Sequence, residues 1–122
     1  MRKAILALTV VAVFSTVSFG HAKLIRSVPG DGAVLRTPPK VVSAWFNDEL
    51  IPERSTISVW DLRGRRVDDG KGGVNLDDLD RKSMLARLRP LGDGSYIVRW
   101  QAASADDGYV ARGTFRFTVK RY

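Results

Sequence analysis

The chain has 122 residues, 20 of them Lys or Arg against 13 Asp or Glu, for a net charge of +7, with one histidine and no cysteine. This length supports one domain around one core, and the lack of cysteine excludes disulfides and thiolate metal sites. No single run is basic enough to read as a nucleic-acid site, so the charge is that of a solvated surface.

Met1-Arg2-Lys3 and the apolar AILALTVVAVFSTVSFG behind them predict a secretory signal peptide over residues 1–20. Its loss, with Arg2 and Lys3, takes the charge from +7 to +5. Nothing later is apolar enough to insert stably in a membrane, so residues 21–122 are expected to be one exported, periplasmic or secreted domain. Ser18-x-Gly20 fits a cut before His21, the only histidine. That cut would place a free α-amine beside the imidazole, a pair able to chelate a metal. Gly20-x-Ala22 also fits, and cleavage there would remove the histidine.

VPGDG (28–32) and TPP (37–39) are turn signals. VVSAWF (41–46) is β-branched and aromatic, and STISVWDL (55–62) alternates around Ile57 and Val59. LRGRR (62–66), centred on Gly64, suits a hairpin. DDGKGGVNLDDLD (68–80) reads as a mobile acidic loop without the ligand spacing of a calcium site. SMLARLR (83–89) sets Met84, Ala86 and Leu88 on one face. After the Asp-Gly turn of LGDG (91–94), SYIVRWQA (95–102) does the same with Tyr96, Val98 and Trp100, and GTFRFTV (113–119) with Phe115, Phe117 and Val119. Period two between turns predicts an all-β antiparallel sandwich or small barrel, with one face buried. Arg87, Arg89, Arg99 and Arg116 fall on the polar side of their strands. If those strands are neighbours they form one basic outer face, able to meet an acidic partner or lipid headgroups and more often serving only solubility.

Between the last two long strands lies SADDGYVARGTFRF (104–117), which sets Asp106, Asp107 and Tyr109 on a loop at one end of the sheet. Read alone, it is better explained as a turn whose aspartates cap backbone amides.

The order of several motifs resembles the CopC/PcoC-type periplasmic copper-resistance proteins. The opening matches at His21, Ala22 and Leu24, then Ser27, Pro29, Asp31 and Gly32, then Pro39 and Val42, then Phe46 and Asp48. The far end matches at Leu91, Gly94, Tyr96, Val98 and Trp100, and from Ser104 to Val119. The resemblance implies a Greek-key β-sandwich, cupredoxin-like or immunoglobulin-like, and one Cu(II) per chain. In that family the ion is held by the N-terminal amine and imidazole and by the Asp and His of an Asp-Gly-His loop. Here those positions are His21, Asp107 and position 109. Asp48 would orient His21 from behind. The implied partner is an inner-membrane copper permease of the CopD type.

Position 109 departs from the family: it is tyrosine. Phenolate at pH 7 costs about 4 kcal/mol, so Tyr109 is expected to be a weak ligand and the site weaker than its relatives. Met84 is the only methionine after residue 20, so no Cu(I) methionine site is expected. There is no Ser-His-Asp set, cysteine nucleophile or phosphate loop, so the chain is not expected to be an enzyme. An oxidative copper enzyme of the histidine-brace kind would want a second histidine. The remaining alternative is a metal-free structural or protein-interaction sandwich of the same ancestry, with the site lost at Tyr109.

Overall fold

The computed structural model describes residues 21–122; the expected signal peptide, 1–20, lies outside them. Eight strands form: β1 (Leu24–Val28), β2 (Ala33–Leu35), β3 (Val41–Phe46), β4 (Thr56–Asp61), β5 (Gly73–Val74), β6 (Ser83–Arg87), β7 (Gly94–Ala103) and β8 (Val110–Val119). A short 3-10 turn, Pro52–Arg54, precedes β4. The strands make one sheet in the order β1-β3-β6-β5-β4-β7-β8-β2, curled so that its two halves face each other.

The alternation read in the sequence is the alternation of burial. Val42, Ala44 and Phe46 of β3 and Met84 and Ala86 of β6 face Ile57, Val59, Val98, Phe117 and Val119 of the other half, all essentially without solvent contact. Burying each large side chain contributes on the order of 1.5–3 kcal/mol. Trp100 lies edge-on to Phe46 with ring centroids 5.1 Å apart. Its indole lies against Gly113, where a Cβ would overlap it.

Two expectations are corrected. The sheet is not wholly antiparallel, because β2 runs parallel to β8 through Ala33↔Phe117 and Leu35↔Val119. And residues 68–80 are not a free loop. Within them β5 pairs with β6 through Val74↔Met84 and with β4 through Thr56↔Gly73, stitching the two halves together. Asp68, fully buried, completes that seam. Its Oδ2 accepts the Val59 N–H at 2.7 Å, where β4 has no further strand partner, and its Oδ1 accepts the Gly70 N–H. The Arg66 guanidinium supplies the countercharge at 2.9 Å. A buried carboxylate persists only with such partners.

The expected basic face is also divided. Arg99 and Arg116 share the outer face of β7 and β8, through Ile97↔Arg116 and Arg99↔Thr114. Arg87 ends β6, which β5 and β4 separate from β7.

Candidate metal centre

His21 sits just before β1 and is held from both sides in sequence. Ala22 is buried. Lys23 donates its N–H to the Asn47 side chain at 2.8 Å, and Asn47 returns its own N–H to the Lys23 carbonyl. Leu24 then pairs with Phe46. Sequence reasoning passed over Asn47, although its place between the matched Phe46 and Asp48 is the one signal that could have found it.

The second half of the site is the turn from Ser104 to Tyr109. Ser104 donates its N–H to the Tyr109 carbonyl and accepts that of Gly108, which takes the left-handed φ of 74° that a side chain would resist. Asp107 Oδ1 accepts the Tyr109 N–H at 2.9 Å. This leaves Oδ2 as the oxygen aimed outward. The turn is anchored by Ser104, whose buried hydroxyl donates to Asp48 Oδ2 and accepts the Asp106 N–H. Asp48 Oδ1 accepts the Glu49 N–H. Asp48 therefore positions the turn carrying Asp107, through Ser104, where the sequence reading had it orienting His21.

The two halves meet. His21 Nε2 lies 3.8 Å from Asp107 Oδ2, with side chains 26% and 38% exposed. That is too long for a direct hydrogen bond. It brings an imidazole and a carboxylate to one place, where small side-chain movements would let both reach a single ion at about 2.0–2.2 Å. The Tyr109 ring stacks on the imidazole, with centroids 3.6 Å apart and planes 12° apart. A metal on a ring nitrogen lies in the imidazole plane, whereas the phenol oxygen lies in a parallel plane above it. While the rings stay stacked, the phenol oxygen would therefore be too far from an ion held in the imidazole plane to bind it.

Among the described residues no three His, Asp or Glu side chains cluster as a metal site. Two side-chain donors converge here, and the natural third donor is the α-nitrogen of residue 21 when it is a free amine. Amine and imidazole of one histidine close a chelate through Nδ1. In the structure Nε2 faces Asp107, so that chelate would require the ring to turn about Cβ–Cγ. Two nitrogens and a carboxylate are a donor set that suits Cu(II). Met84, the only methionine beyond residue 20, is fully buried in the core.

Comparison with known proteins gives the same direction. The CopC domain matches residues 24–120. A copper transport protein, CutJ, of Bacillus subtilis is 31% identical over 103 residues, covering 84% of this chain, and the chain spans only 18% of that longer protein. Copper resistance protein C of Xanthomonas campestris pv. juglandis is 28% identical, covering 94% of this chain and 95% of its own length. The crystal structure of CopC from Methylosinus trichosporium OB3b superposes with a TM-score of 0.73 at 27% identity, covering 82% of this chain and 94% of that one. PcoC, a methionine-rich copper resistance protein from Escherichia coli, gives 0.69 at 28%, covering 82% and 99%.

Proposed function

The chain belongs to the CopC domain family, and from that premise we propose that it is a periplasmic Cu(II)-binding protein, a buffer or carrier in copper resistance and not an enzyme. The observation that carries this reading is the meeting of His21 with Asp107 and Tyr109, 86 and 88 residues away in the chain, at one end of the sheet. The relatives named for copper resistance and copper transport support it. So does the leader-like composition of residues 1–20. Among the described residues no helix is long and apolar enough to cross a membrane.

His21 supplies imidazole and, once residue 21 is the first, α-amine. Asp107 supplies a carboxylate oxygen, and water completes the plane. Tyr109 covers the imidazole and becomes a ligand only if the rings unstack. Because amine and imidazole must lose protons to bind, uptake releases protons and weakens in acid. Bound copper would pass to an inner-membrane permease of the CopD type.

The test is a Cu(II) competition titration on protein whose N-terminus is confirmed as His21 by intact mass. One-to-one binding that resists a modest chelator, and its loss in His21→Ala, is the expected result. Absence of binding by the confirmed protein would mean that the fold persists without the metal.

A further inference from the structure

The end of the sandwich opposite the metal centre has its own chemistry. Ten-residue β7 alone separates the two ends by roughly 30 Å. At the far end the segments 37–41 and 87–91 line an open groove of about 720 Å³. Its floor is apolar, made by prolines 38, 39 and 90 with Val41 and Leu88. Lys40, Arg87 and Arg89 stand exposed around it. None of the three has an ion pair among the described residues. Of the carboxylates nearby, Asp61 is answered by Arg65, Asp68 by Arg66 and Asp93 by Arg121, and Asp69, beside Arg87, accepts the Lys71 N–H and pairs with no cation. The hairpin tip beside the groove lifts Leu62, 60% exposed, next to Arg63.

We propose that this end docks on the surface of an anionic phospholipid bilayer, its cations on headgroup phosphates and Leu62 in the interface, with the metal centre facing away. Charge complementarity calls for an anionic partner. The form of the end calls for a surface. Its cations come from two segments far apart in sequence, Lys40 before β3 and Arg87 and Arg89 at the end of β6, brought side by side at one end of the fold. An extended peptide would look for a strand edge to hydrogen-bond, and the prolines of the groove offer no N–H. A solitary apolar residue beside cations is what an interfacial contact uses, without insertion.

The test is co-sedimentation of the His21-terminated protein with vesicles of phosphatidylcholine alone or with about one-third phosphatidylglycerol. Binding to the anionic vesicles only is expected, lost at about 0.5 M salt. A Lys40→Ala/Arg87→Ala/Arg89→Ala variant should bind at least about tenfold more weakly, and Leu62→Ser measurably so. An Arg99→Ala/Arg116→Ala variant, losing charge from the side of the sheet, should bind nearly as the parent does. All variants are first matched by thermal melting. Equal loss in both arginine variants would reduce the effect to net charge and overturn the docking face. Absence of vesicle binding would overturn it too, and capture of a polyglutamate peptide under those conditions would assign the groove to an acidic protein segment. The readout does not depend on copper, so its failure is separate from failure of the metal site.

Discussion

The two ends of this sandwich are built from similar turns and use carboxylates in opposite ways. At the basic end Asp61, Asp68 and Asp93 are spent on structure, each paired with an arginine and accepting backbone N–H groups. At the metal end Asp48, Glu49 and Asp106 have no cationic partner among the described residues, and Asp107 has only His21. Acids neutralised by arginine hold a fold, whereas exposed carboxylates without a cation, Asp107 above all, leave negative charge that attracts one. The difference is one of partners and not of composition.

Removing a structural acid should cost most. Asp68→Ala strands the Val59 and Gly70 amides and the Arg66 charge, and is expected to lose about 3–5 kcal/mol in urea unfolding. Copper affinity of the folded fraction should not change. A loss under about 1 kcal/mol would mean that water replaces the carboxylate. Next comes Ser104→Ala, which removes the hydroxyl tying Asp48 to the 104–109 turn. Stability should fall by about 1–3 kcal/mol, and Cu(II) affinity by about tenfold through the misplaced Asp107. Unchanged affinity would show that the turn holds itself.

A smaller change is expected from Tyr109→Phe, which keeps the stack and deletes the phenol. Affinity should stay within about threefold, under about 1 kcal/mol. The loaded parent protein should lack a phenolate-to-Cu(II) absorption band. Seeing that band, and losing it in the variant, would make Tyr109 a ligand. The smallest effect concerns Asp78, an acid at the metal end with a structural task. The Ser83 hydroxyl, and the amides of Asp80 and Lys82, hold its carboxyl below the ordinary value of 3.8. Its folded value is depressed, so its contribution is present above the unfolded value and disappears as pH falls through the folded one. Urea midpoints of Asp78→Asn and parent, compared from pH 5 down to about pH 3, should converge in acid; a constant gap would exclude the titration.

Five long strands were legible because each buries one face, which forces period two. The three others were not. A register shift between Leu24 and Arg26 spoils the alternation of β1. β2 and β5 are three and two residues long, too short for a period. In the site, His21 and Asp107 were legible through motif order. The stack of Tyr109 was not, since ring orientation depends on neighbours brought from the other end of the chain. Asp68 was misread for a related reason: a carboxylate in a Gly-rich acidic run looks solvated until the Val59 N–H, beyond the reach of β5, needs an acceptor. The four arginines were correctly set on polar faces, but their grouping depended on strand order, which alternation does not encode.

The parallel pairing of β2 with β8 has a kinetic consequence. Ala33 must find Phe117, and His21 must find Asp107, before the border of the sheet and the metal site exist. Loop closure over such separations is costly before it is rewarded, and folds rich in non-local pairs reach the native state in roughly milliseconds to seconds. Refolding followed by tryptophan fluorescence should fall in that range. The candidate site thus closes late, only when the segment before β1 and the turn between β7 and β8 have both been placed at one end of the sheet.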